Sequence, residues 1–137
     1  MAEINTLDQF YEYVQKQGKL PTQAHAERWT VGTLKTLGIN LDRKTKKQLA
    51  QALPDPLSEA LTGVFWLLHF RDPDLSSYEF QRTTARRSGN TDAQFARHPI
   101  LAIFGGVKKM IDSDLEQQVS ESLAPEVRQL WQQAGQG

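Results

Sequence analysis

The chain has 137 residues with 16 basic and 16 acidic side chains, no cysteine, 39% hydrophobic residues and a pI near 6.8. Zero cysteines exclude a disulfide scaffold, a thiolate zinc site and a cysteine nucleophile, and they fit a reducing, cytoplasmic compartment. The balanced charge argues against a dedicated nucleic-acid binder, and the length sets one domain, residues 1–137, able to bury about 68% of the surface its unfolded chain exposes.

In chain order, the start carries Glu3 and Asp8 and lacks the basic-then-apolar layout of a signal peptide. Thr6-Leu7-Asp8-Gln9 reads as a capping box opening a helix over 7–17 that stops at Gly18. Thr22 caps a second helix over 23–37, closed by Gly38, and Asp42 caps a third. Pro56 after Asp55 opens a fourth, and residues 57–70 form a helix apolar nearly all round. Such a helix is either core between the two halves or an interface, and Trp66 is the residue that separates the two. Its most apolar stretch, 63–70, falls far short of the roughly 20 residues that span a bilayer.

Ser76-Ser77-Tyr78-Glu79 repeats the capping box before a helix over 77–87 that stops at Ser88-Gly89. The next helix follows Thr91 or Asp92 and reaches about Met110. Pro99 inside it removes an amide and predicts a kink or restart near Arg97–Pro99. Gly105-Gly106 sits mid-helix at a cost of about 1 kcal/mol per glycine relative to alanine, which close approach of another helix would explain. A helix after Asp112 or Ser113, with Ser113-Asp114-Leu115-Glu116 as a further box, and one opened by Pro125 complete the chain. Strand alternation between hairpin turns is missing throughout. The reading is an all-α bundle of about eight helices.

Shifting the sequence by 70 residues superimposes Phe10 on Phe80, Ala26 on Ala96, Asp42 on Asp112, Gln48 on Gln118 and Leu53 on Leu123. Apolar positions coincide as well, among them Leu34/Phe104, Leu37/Val107, Leu49/Val119 and Leu61/Trp131. Caps and core matching together predict two tandem pseudo-repeats, about 6–70 and 76–134.

The run 24–37, the phrase Leu49-Ala50-Gln51-Ala52-Leu53-Pro54, the opening Tyr78-Glu79-Phe80, His98 before an apolar helix, and Leu123-Ala124-Pro125-Glu126 with Leu130-Trp131 stand out together. In these features the chain resembles a bacterial family catalogued as domain of unknown function 2267, over roughly residues 7–131. The resemblance implies a small helical bundle with two related halves and says nothing of activity. Pro99 departs from the continuous helix the family tends towards.

No catalytic constellation stands out. His25, His69 and His98 lack the spacing of a helical metal site, and the run from Asp72 fails the sixth and twelfth positions of a calcium loop, which hold Ser77 and Thr83. Gly105-Gly106-Val107-Lys108-Lys109 lacks the upstream glycine of a phosphate loop, and there is no GxSxG elbow. No cofactor or metal is expected.

Charge is more informative. Lys35, Arg43, Lys44, Lys46 and Lys47 against Asp42 give +4 over residues 35–47, whereas in the second half Asp112, Asp114, Glu116, Glu121 and Glu126 give −5 over residues 112–126, a stretch extended to Glu126 beyond the strict match. The two segments predict a dipolar surface for an unknown protein partner or for self-association, with Arg43, Lys44, Lys46, Lys47, Trp66, Asp112, Asp114 and Glu116 as its candidate residues. Nucleic-acid contact is disfavoured because no aromatics interleave the cations. The expected function is a non-enzymatic interaction or regulatory module. The alternative is a small-molecule or metal-binding protein, with possible enzymatic activity, around Arg28, His98, Gly105 and Gly106.

Overall fold

The computed structural model describes residues 4–63, 74–90 and 92–135, and among them the backbone forms eight α-helices and no strand. They are α1 (Leu7–Gln17), α2 (Gln23–Asn40), α3 (Arg43–Ala52), α4 (Asp55–Thr62), α5 (Ser77–Arg87), α6 (Ala93–Lys108), α7 (Ser113–Ser122) and α8 (Pro125–Gln133).

Local chemistry sets where helices begin. The Thr6 hydroxyl accepts from the Gln9 amide at 3.1 Å while the Gln9 side-chain oxygen accepts from the Thr6 amide at 3.2 Å, a complete reciprocal box. Thr22, Asp42, Ser76, Asp92 and Asp112 each accept the amide three residues on. Two expected caps are corrected. Ser76 makes its own half of a box, but Glu79 turns instead to Arg82 at 3.0 Å. In α7 the cap is Asp112, whose Oδ1 accepts from the Leu115 amide at 2.8 Å, so Ser113 belongs to the first turn.

Helix ends divide between local rules and packing. After α1 the Leu20 amide donates to the Gln15 carbonyl at 2.9 Å, and after α5 the Asn90 amide donates to that of Ala85 at 2.8 Å. These closures need a left-handed residue, supplied by Gly89 (φ 80°) in the second and by Lys19 (φ 55°) in the first. Gly38, expected to close the second helix, instead lies inside it, because α2 continues to Asn40. A Cβ on Gly38 would overlap the Leu61 carbonyl oxygen and lie 3.2 Å from its carbon. Glycine is required there by the crossing of α2 over α4.

Pro99 does not restart its helix either: α6 runs from Ala93 to Lys108 with the proline inside. The site is buried, and a Cβ on Gly18 would stand 3.3 Å from the Pro99 Cα, so the end of α1 packs closely where the amide is missing. The expected helix over 57–70 is cut short, since α4 stops at Thr62 and the Gly63 amide caps it on the Ala60 carbonyl. Residues 64–70, with Trp66 and His69, lie outside the described residues.

One cluster of buried side chains draws on all eight helices, from Phe10 and Trp29 through Phe80 and Phe104 to Trp131. At its centre α2 packs against α1, α4, α5 and α6, while α6 also packs against α1, α5 and α8. Buried hydroxyls along α2 are answered within the helix: Thr30 donates to the Ala26 carbonyl at 2.7 Å and Thr36 to that of Gly32 at 2.9 Å. Beside this centre α3 pairs with α7. The Asp42 amide donates to the Ser122 hydroxyl at 2.9 Å and Gln118 Nε2 to Thr45 Oγ1 at 3.4 Å, so the start of α3 meets the end of α7 and the pair is antiparallel.

Candidate functional site

The cationic segment forms the first turns of α3. Arg43, Lys44 and Lys47 are exposed, and their side chains neither hydrogen-bond to a described residue nor pair with a described carboxylate. Lys46 is half-buried, and its ammonium is pushed below the usual lysine range, first by burial and then by the neighbouring Arg43 guanidinium. Arg43, Lys44 and Lys46 sit in the first turn of α3, where the aligned amides carry partial positive charge and favour carboxylates, and Lys47 follows it. Only Asp42, the cap, brings an acid to this turn, and its Oδ1 accepts from the Thr45 amide at 2.8 Å.

The acidic segment is arranged differently. Asp114 and Glu116 occupy the first turn of α7, where the helix favours them. Most of its carboxylates have internal work: Asp112 caps α7, Glu116 lies 3.4 Å from Lys108 Nζ, Glu121 accepts from Gln117 at 3.2 Å, and Glu126 accepts from the Ser77 amide at 3.0 Å. Because α3 and α7 run antiparallel, the cations of 43–47 and the acids of 112–116 stand at opposite ends of the pair. The structure therefore separates the cations of 43–47 from the acids of 112–116, and of the acids in α7 Glu121 lies at the end that meets the start of α3.

His98, Gly105 and Gly106 come together with α1; Arg28 does not. A cleft of about 320 Å³ opens between α1, α6 and the turn after α8, with Tyr13 and Gln17 on one side, His98, Leu101 and Lys109 on another, and Gln133 at the third. Gly105 and Gly106 lie under this wall. A Cβ on Gly105 would be 2.8 Å from the Tyr13 hydroxyl and 3.1 Å from the Gly135 amide nitrogen, and one on Gly106 would be 2.8 Å from the Phe10 ring. The mid-helix glycines thus mark the close approach of α1 and the chain end to α6, as their position predicts. Arg28 stands elsewhere, with its Cδ 3.8 Å from where a Cβ on Gly89 would lie. The His98 ring sits 6.2 Å from that of Phe95, and among the described residues no three His, Asp or Glu side chains gather as a metal site would require.

A model of the DUF2267 family, described as an uncharacterized conserved protein, matches residues 7–130. The chain belongs to the DUF2267 family. No curated protein and no solved structure gives a match. No described helix of this DUF2267 protein is long and apolar enough to cross a membrane.

Two cations with clear structural work escaped the sequence reading. Lys108, at the end of α6, donates to the Trp131 and Ala134 carbonyls at 2.9 Å each, lies 3.4 Å from Glu116 and sits 5.7 Å over the Trp131 ring. It closes the end of α8, where a cation is favoured, and ties α6, α7 and α8 together. Arg128 in α8 does the same for α7, donating to the Ser120 carbonyl at 2.8 Å and to that of Leu123 at 3.1 Å. For Arg128 the signal was readable, since a cation follows closely on a helix end. For Lys108 nothing local pointed 23 residues ahead.

Proposed function

We propose that this DUF2267 protein is a cytoplasmic, non-enzymatic interaction or regulatory module. Its contact surface is the cationic turn of Arg43, Lys44 and Lys47, and its partner is a protein surface rich in exposed carboxylates. One observation carries this reading: three exposed cations have no side-chain partner among the described residues, and two of them, Arg43 and Lys44, sit in the first turn of a helix, which disfavours cations. Nothing in the fold benefits from that placement. Residues that contradict local preference without a compensating contact are where function is expected to act.

The same reading takes the chain as a single domain of two tandem four-helix units. Helices beginning at Leu7, Gln23, Arg43 and Asp55 are each followed 70 residues later by one beginning at Ser77, Ala93, Ser113 and Pro125, which supports a duplication. After such a duplication the units diverged in charge. The second unit put its acids to work as caps and ion-pair partners, and the first left its cations available.

Chemical crosslinking of the full chain in native lysate, quantified by mass spectrometry, tests the surface. Lys44→Glu/Lys47→Glu should lose at least tenfold of a specific crosslinked partner, whereas Lys16→Glu on the exposed side of α1 should retain it. Equal recovery by all three proteins would overturn the reading. If the lost species is a second copy of the chain, the partner is the protein itself.

A further inference from the structure

The cationic turn of α3 shares its surface with α7. The exposed stripe of α3 runs through Lys44, Lys47 and Gln51, and that of α7 through Asp114, Gln117 and Glu121. Lys44 and Asp114 are each the second residue of their helix, and they carry opposite charge. Neither side chain has a hydrogen-bond or ion-pair partner among the described residues. Because the start of α3 meets the end of α7, the two stripes run in opposite directions.

Charge is therefore ordered along this pair of helices. One end holds Arg43, Lys44 and Lys47 with Glu121 beside them, and it stays positive. The other holds the exposed Asp112 and Asp114, and the last turn of α3, Leu49 to Ala52, brings no charge to it. A nucleic acid or a uniformly acidic protein laid over both ends would be attracted at one and repelled at the other. A matching partner presents the same charges in reverse order, and a second copy of this chain does so. With a twofold axis between the copies and perpendicular to the helices, each cation end meets the other copy's acid end, and the contact is made twice. The chain is neutral overall, with 16 basic and 16 acidic side chains, so two copies approach without net repulsion.

We propose that the partner of the α3 surface is a second copy of this chain, docked as a twofold dimer in which Lys44 and Lys47 of each copy face Asp114 of the other. The dimer presupposes the α3 contact surface proposed above and gives it a partner. Exposed ion pairs are individually weak and screened by salt, so it forms at high protein concentration and low ionic strength.

Sedimentation velocity of the purified full chain over a concentration series tests it. At low salt the chain should dimerise, with a dissociation constant that rises by about tenfold or more in roughly half-molar salt. Lys44→Glu/Lys47→Glu and Asp114→Lys/Gln117→Lys should each weaken self-association by about tenfold or more. Their one-to-one mixture should dimerise again, because each reversed end then meets its opposite, and a folding defect would give no such recovery. Should Asp114→Lys/Gln117→Lys fail to fold, Asp114→Asn serves in its place. It should weaken self-association of the native chain and increase that of Lys44→Glu/Lys47→Glu, where it removes a like charge. A native chain that stays monomeric at every concentration overturns the second-copy inference and leaves the α3 surface itself to the crosslinking result. A dimer unmoved by salt or by the reversed charges, a mixture that stays monomeric, or an Asp114→Asn effect of the same sign in both backgrounds overturns it as well.

Discussion

Gly38→Ala is expected to destabilise the protein by about 3 kcal/mol, against the sign that helix propensity alone gives. In the interior of an unencumbered helix, alanine gains about 1 kcal/mol over glycine. Here the added methyl would overlap the Leu61 carbonyl oxygen and press on its carbon at 3.2 Å. Overpacking of a tight interior costs roughly 1–3 kcal/mol, and occasionally more. The neighbour is main chain, which cannot swing aside as a flexible side chain can, so the cost belongs at the top of that range. Relief would require α2 and α4 to separate, opening the contacts of Leu34, Leu37, Leu57 and Leu61, all of them buried. Urea denaturation monitored by circular dichroism checks the value. A neutral or stabilising effect would mean that the two helices do not cross this closely.

Trp131→Ala should cost about 3–5 kcal/mol, the range for deleting a fully buried large aromatic. Trp131 is 1% exposed, and its ring meets Phe104 edge-on at 5.3 Å. Its indole N–H donates to the Glu116 carbonyl at 3.3 Å, and Lys108 rests above the ring. The side chain therefore joins α8 to both α6 and α7, and its loss leaves a cavity at their junction while removing the surface under the Lys108 clamp. Trp131→Phe keeps most of the apolar area and should cost far less, about 1 kcal/mol for the lost hydrogen bond. Equilibrium denaturation of both variants separates packing from hydrogen bonding. A loss below about 1 kcal/mol for Trp131→Ala would contradict its place in the core.

These two residues show what was legible in the sequence. Trp131 stood out because periodicity and its alignment with Leu61 placed it on a buried face. Cap chemistry located nearly every helix start, since Thr6, Thr22, Asp42, Ser76 and Asp92 act on amides only three residues away. Gly38 was misread because a glycine at the end of an apolar run looks the same whether it ends a helix or admits a neighbour. Only the approach of Leu61, 23 residues on, decides between them. A restart at Pro99 is absent for a related reason: the missing amide is visible locally, but the packing of the Gly18 turn against it is not.

The site was legible in composition more than in geometry. The opposed charge runs were plain, yet nothing local indicated that Glu116 pairs with Lys108 or that Glu126 caps α5 from 49 residues away. Those contacts give most of the acidic set partners within the fold, though Asp112, Asp114, Glu121 and Glu126 stay exposed. Equally, Tyr13 and Gln133 had no sequence signal linking them to His98, because the cleft is assembled from α1, α6 and the chain end.

If the α3 cations serve a partner and not the fold, urea denaturation of Lys44→Glu/Lys47→Glu at low salt will show it without knowledge of the partner. Lys44→Glu places a carboxylate in the first turn of α3, and Lys47→Glu gives Arg43 an opposite charge four residues on. The prediction is a gain of about 0.5–1 kcal/mol that shrinks as salt is added. A loss of stability would contradict the account, because it would show that the fold itself depends on these cations.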